Sequence, residues 1–134
     1  MNFWDREWLI RTVWGEARGE GEAGMIAVCW VVLNRIKAGR WGKTAAVVCG
    51  APAQFSCWGE HDPNHRWLLA MIPGDVSMAE AAAAVDKVLA GAAPDPTGGA
   101  TFYYARSMAA PPAWAIGQSP SAEIGHQLFF KDIA

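Results

Sequence analysis

The sequence carries little excess of charge of either sign. Its 134 residues include 11 Lys and Arg and 13 Asp and Glu, which gives a formal net charge of −2 at pH 7. Without a basic excess there is no electrostatic field to hold the phosphates of a nucleic acid or an anionic membrane surface. We therefore expect no nucleic-acid partner. The charge balance does not decide whether the partner is a carbohydrate.

Long hydrophobic runs are also missing. The longest apolar stretch, residues 24–33, is about half as long as a membrane-spanning helix requires. Residues 1–7 carry an acidic side chain early, and no apolar segment typical of a secretory leader follows them. We expect a protein that is made in the cytoplasm without a signal peptide and that does not insert into a membrane.

Cysteine is scarce as well. Cys29, Cys49 and Cys57 cannot all pair with one another, and the sequence contains no C-x-x-C motif. We expect three free thiols. A disulfide between Cys49 and Cys57 is the alternative in an oxidising compartment.

What the sequence does contain is typical of a folded globular protein. Hydrophobic residues make up 52% of the chain and charged residues 18%. The length suits one hydrophobic core, so we expect a single domain over residues 1–134 and a monomer. Eight Trp stand against two Tyr. A Trp ring offers a flat apolar face and one N–H donor, which suits a sugar ring as well as a core.

The spacing of apolar residues predicts a mostly helical fold. Helices are predicted at residues 5–18, 22–38, 44–49, 65–72 and 77–90. The second helix is expected to be buried at the centre, with Arg35 and Lys37 at its exposed end. Thr44 should cap one helix, and Ser77 with Glu80 should form a capping box at another. Strands are predicted at 101–105 and 124–131 and should pair, which makes the fold class α+β, predominantly helical, with a small antiparallel sheet.

Glu16 is the first candidate for chemistry. It falls on the same helical face as Leu9 and Val13, the face expected to turn toward the core. Apolar surroundings and the negative end of a helix both disfavour the charged form of a carboxyl group. A general acid has to keep its proton near neutral pH, so this setting suits one. The alternatives are a half-exposed side chain or an ion pair with Arg18 or Arg35.

Glu20 follows Glu16 by four residues. On an unbroken helix the two carboxyl groups would share one face, as the pair of a retaining glycosidase requires. Gly19 interrupts the pattern between them. We therefore prefer a role for Glu20 in capping or orienting the second helix.

A set of ordered motifs resembles a known family. The motifs are W-G-E-A-R-G-E at 14–20, G-M-I-A-V at 24–28, V-L-N-R-I at 32–36, Q-F-S-C-W at 54–58, D-P-N at 62–64, D-P-T-G-G-A at 95–100, F-Y-Y at 102–104 and I-G-H at 124–126. Together they resemble the cell-wall hydrolase family, which includes the spore-cortex-lytic enzymes and many phage endolysins. The resemblance covers roughly residues 9–131.

The resemblance implies a fold, an activity and a catalytic residue. Family members have a lysozyme-like helical fold and cleave the glycan strands of peptidoglycan between N-acetylmuramic acid and N-acetylglucosamine. Glu16 matches the family's catalytic acid. Many members are lytic transglycosylases, which form a 1,6-anhydro product without water and use one carboxyl group. A hydrolytic muramidase would need a second carboxylate, for which Glu20, Glu60 and Asp62 are the candidates.

Further residues of these motifs are candidates for substrate binding. Gln54 and Ser56 would hydrogen-bond to the sugar, and Trp58 would stack on it. Tyr103 and Tyr104 should point to opposite faces of a strand, so we expect only one of them to reach the cleft. The alternatives are a loop anchor for Trp58 and a core position for either Tyr.

Three other functional classes stay open with less support. Glu60, His61, Asp62 and His65 have metal-ligand chemistry but no matching motif, so we expect no metal and no cofactor. Cys57 with His61 and His126 would suit a peptidoglycan amidase or peptidase. A non-catalytic wall-binding module would explain the size and the Trp content.

The expected setting follows from the resemblance and the lack of a signal peptide. We expect an endolysin-like protein of phage origin that accumulates in the cytoplasm. It would act on the cell wall after release.

Overall fold

The computed structural model describes residues 1–51 and 54–134, and within these ranges the chain forms five α-helices and one three-stranded sheet. The helices are α1 Phe3–Ala17, α2 Gly21–Ala38, α3 Ala45–Gly50, α4 His65–Ala70 and α5 Ala79–Leu89, and the strands are β1 Phe102–Ala105, β2 Ala122–Ile124 and β3 Gln127–Phe130. The predicted class, helix-dominated α+β, is confirmed. Among the described helices, none is long and apolar enough to cross a bilayer.

Helix α2 forms the centre of the helical layer. It packs against α1 and α5, and Val28 and Val32 have no exposed surface. Apolar residues on all sides of its middle turns explain this position, because each side meets another part of the core. The helix ends where Gly39 adopts φ 75°, and the Gly39 N–H bonds to the carbonyl of Arg35. The prediction of a buried central helix is confirmed.

The expectation that Arg35 marks an exposed helix end is wrong, whereas Lys37 is exposed. Arg35 is only 5% exposed and donates hydrogen bonds to the Thr101 carbonyl (2.7 Å) and to Gln54 Oε1 (3.2 Å). Its guanidinium also lies 4.9 Å from the ring centre of Phe55. These contacts compensate for the lost hydration, and burial lowers the pKa of Arg35.

Two predicted helix starts had different outcomes. The Thr44 side chain caps α3 by accepting from the Val47 N–H, as expected. The capping box of Ser77 and Glu80 is wrong. Asp75 instead accepts from the Ser77 N–H at 2.8 Å and begins a short 3-10 turn, Val76–Met78, that leads into α5. An Asp side chain commonly accepts a hydrogen bond from the backbone N–H two residues later, and here Asp75, not Ser77, provides the cap.

The sheet has the strand order β1-β3-β2, with both pairs antiparallel. Tyr103 lies opposite Phe129, and Tyr104 lies opposite Leu128. The predicted pairing of the two segments is confirmed, although Ile124 belongs to β2. Because side chains alternate along a strand, Tyr103 and Phe129 share the face turned toward α2.

The three cysteines are free thiols, as expected. Cys29, Cys49 and Cys57 all lie within the described ranges and are fully buried. Burial raises the pKa of Cys29 and of Cys49 to about 12. Burial raises the pKa of Cys57 as well, so all three thiols stay protonated near neutral pH.

The turn before β1 is fastened to α2 by Asp95. Its carboxylate accepts hydrogen bonds from Asn34 Nδ2 (2.9 Å), from the Thr97 N–H (2.8 Å) and from the Gly99 N–H (3.1 Å). Burial alone would raise the pKa of Asp95, but the hydrogen bonds from Asn34 and Thr97 lower it below its usual range. The entry of β1 is thereby held at a defined place on α2.

Replacing Asp95 with Asn should destabilise the fold. The amide supplies one acceptor oxygen in place of two, so the free energy of unfolding should fall by about 1–3 kcal/mol. A group with a lowered pKa contributes stability above its unfolded-state pKa, and this is lost as the pH falls through its folded-state pKa. Denaturant unfolding between neutral and acidic pH should therefore show a weaker acid dependence in Asp95→Asn than in the parent.

Asp132→Asn provides the matched control for this measurement. Asp132 is exposed and adopts φ 57°, a conformation that Asn tolerates. Its substitution should change the stability by no more than about 0.5 kcal/mol. Equal losses in the two variants would contradict the assigned role of Asp95.

Candidate active site

A cavity of about 550 Å³ lies between the end of α1, the segment 54–58 and the strands β1 and β3. It is lined by Gly15, Glu16, Arg35, Gln54, Ser56, Tyr103, Tyr104, Ala105, Met108 and Gln127. Among these described residues, Glu16 is the one carboxyl group. It lies in the last turn of α1 and is half-buried.

Three donors converge on the Glu16 carboxylate. The Tyr103 hydroxyl donates to Oε1, while Ser56 Oγ (3.2 Å) and the Cys57 N–H (3.1 Å) both donate to Oε2. They fix the orientation of the carboxyl group within the cavity. Such a group is well placed to give up a proton to a bound molecule and to take one back.

A glycine permits this arrangement. A Cβ added at Gly15 would lie 2.6 Å from Cys57 Cβ and 2.8 Å from Cys57 Sγ, closer than carbon and sulfur atoms can approach. Without that Cβ, the 3-10 turn Ser56–Trp58 lies directly against α1. This contact brings the Cys57 N–H within reach of Glu16.

The two tyrosines of β1 differ in their contacts. Both residues border the cavity, but their rings pack on opposite faces of the sheet, Tyr103 with Phe129 and Tyr104 with Phe130. Tyr103 stacks on Phe129 and bonds to Glu16. Burial, with the nearby charge of Glu16, raises the pKa of Tyr103 well above its usual range and keeps its hydroxyl protonated as a donor. The ring of Tyr104 stacks instead on Phe130 at 5.6 Å.

The suggested ion pair of Glu16 with an arginine is not found among the described residues. The guanidinium of Arg18 lies 4.0 Å above the ring of Trp14. Arg35 is committed to Thr101 and Gln54, although it also lines the cavity. Gln54 also lines the cavity, and its Oε1 accepts one hydrogen bond from Arg35.

Glu20 occupies the N-cap position of α2, but its side chain makes no capping hydrogen bond there. Its Oε2 is 3.0 Å from His126 Nδ1 and accepts a longer bond of 3.4 Å from the His126 N–H. Gly125 leaves room for this contact, because a Cβ there would come within 2.9 Å of the Glu20 carboxylate. Glu20 thus holds the turn between β2 and β3 and is absent from the described lining of the Glu16 cavity.

Trp58 has the contacts of a loop anchor. Its Nε1 donates to Thr12 Oγ1 at 2.9 Å, and its ring lies 4.6 Å from that of Trp8. It borders two neighbouring grooves and not the cavity that holds Glu16. Of the residues considered for substrate binding, Trp58 is the one that the structure separates from Glu16.

The metal-ligand and cysteine readings gain no geometric support. Among residues 1–51 and 54–134, no group of three or more His, Cys, Asp or Glu is arranged to hold a metal ion. Asp62 accepts from the Asn64 N–H. Burial raises the pKa of Cys57 above its usual range, and no hydrogen bond joins it to a histidine in the described part of the chain.

Sequence reasoning missed Arg35, Met108 and Gln127 as cavity residues. Gln127 had a signal that was available, since it alternates with Phe129 on the inward face of the second predicted strand. A polar residue on that face should have been noted. Met108 lies in a segment without periodicity, so no local pattern pointed to it.

A sequence profile of the Cell Wall Hydrolase family matches residues 19–130. The matched range begins three residues after Glu16. Two spore cortex-lytic enzymes are each 30% identical to the chain, one from Halalkalibacterium halodurans over 93% of this chain and one from Oceanobacillus iheyensis over 95%. The chain spans 34% and 41% of the length of these two relatives.

Two solved structures share the fold. The catalytic domain of the Bacillus cereus SleB protein superimposes with a TM-score of 0.76 at 28% identity, over 95% of this chain and 89% of that one. The catalytic domain of the germination-specific lytic transglycosylase SleB from Bacillus anthracis gives 0.77 at 27% identity, over 98% and 97%. The expected lysozyme-like fold is thereby confirmed. With a family profile over most of its length and two catalytic domains of the same fold, the chain belongs to the cell wall hydrolase family.

Proposed function

We propose that this protein cleaves the glycan strands of peptidoglycan between N-acetylmuramic acid and N-acetylglucosamine, as a lytic transglycosylase with Glu16 as its one catalytic carboxyl group. The observation that carries the proposal is the position of Glu16 in the cavity with three hydrogen-bond donors. The family supports a cell-wall substrate, and one similar structure is named a lytic transglycosylase.

The proposed reaction uses Glu16 twice. The protonated carboxyl first gives its proton to the glycosidic oxygen, and the bond from that oxygen to C1 of muramic acid breaks. The carboxylate then takes the proton of the C6 hydroxyl, whose oxygen bonds to C1 and closes the 1,6-anhydro ring. No water is consumed, and Glu16 ends protonated as it began, now with the proton taken from the C6 hydroxyl. The Tyr103, Ser56 and Cys57 donors would stabilise the carboxylate between the two transfers.

A single carboxyl group favours this reaction over hydrolysis. A hydrolase with two carboxylates needs the second one across the scissile bond. Glu20 is engaged with His126, and Asp62 with Asn64. Glu60 is exposed beside a separate groove. Within the described residues, none of the three lines the cavity of Glu16.

For the biological setting we propose only action on the cell wall. Action on the cell wall fits the family, and both curated relatives are named spore cortex-lytic enzymes. An endolysin-like role and a phage origin stay predictions of the sequence.

Replacing Glu16 with Gln should abolish glycan cleavage. Losing a proton-transfer group lowers turnover by roughly 10²–10⁴-fold, while the amide keeps the shape of the side chain. Purified peptidoglycan would be digested with parent and variant, and the released fragments identified by mass spectrometry. We expect anhydro-muramic ends from the parent and almost none from Glu16→Gln.

Glu80→Gln is the matched control, since Glu80 is exposed on α5 and absent from the described cavity lining. It should digest as the parent does. Fragments with reducing muramic ends would indicate hydrolysis in place of transglycosylation, and Glu20 would then be tested as the second carboxylate. Undiminished cleavage by Glu16→Gln would overturn the proposal.

Removing the Tyr103 hydroxyl should slow turnover. Tyr103→Phe keeps the ring stacked on Phe129 and loses one hydrogen bond to Glu16. A bond to a charged group corresponds to roughly a 10- to 100-fold effect, expected in kcat more than in KM. Steady-state kinetics on soluble glycan strands would measure the split. Tyr104→Phe, whose ring stacks on Phe130, should lose much less, and equal losses would contradict the role of Tyr103.

Replacing Cys57 with Ala should leave the activity within a few-fold of the parent. The contact with Glu16 comes from the backbone N–H of residue 57, which Ala retains. The thiol is buried and its pKa is raised, so it is unsuited to act as a nucleophile. Complete loss of activity in a folded Cys57→Ala variant, with fragments cut in the peptide stem by the parent, would favour an amidase or peptidase.

A further inference from the structure

Gln127 is a buried polar side chain whose amide oxygen has no partner. It begins β3 and is 6% exposed. Within the described residues, no donor reaches its Oε1. Buried polar atoms are nearly always paired, and an unpaired one costs stability. The cavity of Glu16 is the open space next to this side chain.

The sheet register fixes the direction of Gln127. It lies opposite Ala105 on β1 and opposite Ile124 on β2. Two residues farther along, Phe129 lies opposite Tyr103, so Gln127 shares the sheet face that carries Tyr103. Ala105 has a small side chain, and it lines the cavity together with Gln127. The amide therefore forms part of the cavity wall on the side of β1.

The backbone before Gln127 is held from outside the cavity. Glu20 contacts His126, and Arg106 Nη2 donates to the Gly125 carbonyl at 2.8 Å. Arg106 also pairs with Glu123. These contacts fix the turn between β2 and β3 and thus the position of the Gln127 amide, as a recognition group requires.

The residues around Gln127 determine which ligand group its amide can bind. Arg35 lines the same cavity and disfavours a cationic donor, and Glu16, the one carboxyl group of the described lining, enters the proposed reaction protonated. The ligand should therefore offer a neutral N–H or O–H. Met108 and Ala105 add apolar surface to the lining, which suits a methyl group attached to that donor. An acetamido substituent combines an amide N–H with a methyl group.

We propose that Gln127 recognises the acetamido group of the sugar bound beside Glu16, with its Oε1 accepting a hydrogen bond from the acetamido N–H. The last torsion of a Gln side chain is broad, so a small rotation turns Oε1 toward the ligand. This inference rests on the proposed glycan cleavage and adds a specificity-determining residue to it. Gln127 takes no part in the proton transfers.

The test compares fully N-acetylated glycan strands with the same strands after partial N-deacetylation. The parent should prefer the acetylated strands, and chemical re-acetylation should restore the rate. In Gln127→Leu, kcat/KM on acetylated strands should fall roughly tenfold, the effect of one neutral hydrogen bond, and the preference should shrink. In Gln127→Glu, the preference should shift toward deacetylated strands, because a carboxylate pairs with their ammonium groups.

Gln118→Leu is the matched control, since Gln118 is exposed and absent from the described cavity lining. It should keep the parent's rate and preference. Should Gln127→Leu fail to fold, the near-isosteric Gln127→Glu carries the test through its ratio of the two rates.

The outcomes separate this inference from the proposed function. If the parent cleaves strands through Glu16 but both Gln127 variants keep its preference, the assignment of Gln127 is overturned and the function stands. Equal losses on both substrates would indicate a hydroxyl contact and overturn the acetamido assignment. If the parent cleaves no glycan strand, the proposed function fails and the inference fails with it.

Discussion

The hydrogen bonds to the Glu16 carboxylate are the constraint on which the candidate site depends. They join the end of α1 to Ser56, 40 residues later, and to Tyr103, 87 residues later. Each of these partners has its own support. The turn of Ser56 packs against Gly15, and the strand of Tyr103 is fastened to α2 through Asp95 and Arg35. The position of the carboxylate is therefore fixed by both the helical layer and the sheet.

Much of the fold was readable from the sequence because the deciding forces were local. The apolar middle of α2 has to be buried, whatever surrounds it. The pairing of β1 with β3 follows from two short strand patterns separated by turn residues. The helix start near Ser77 was misjudged because Asp75, two residues earlier, competes for the same role. Local sequence rules predict that a helix start has a capping side chain, but they discriminate poorly between neighbouring residues that could provide it.

The candidate site was only partly predictable, for a different reason. Glu16 stood out through its motif and its apolar helical face. Arg35 looked like a solvated helix end, because nothing local announces that Thr101 and Gln54 will cover it. Trp58 was a candidate to stack on a sugar, whereas its hydrogen bond to Thr12 becomes visible only in the folded structure. Contacts between distant segments determine which charged or aromatic side chains are exposed, and one sequence carries little record of them.

The close approach of Gly15 and Cys57 has a consequence for how this site can vary. The backbone N–H of residue 57 bonds to the Glu16 carboxylate, while its side chain fills the space that a Cβ at position 15 would occupy. The two positions share one small space, and a larger side chain at either one has to be compensated at the other. Substitutions there should be strongly non-additive, as expected for residues in direct contact. In related chains, the sizes of the side chains at these two positions should therefore vary together.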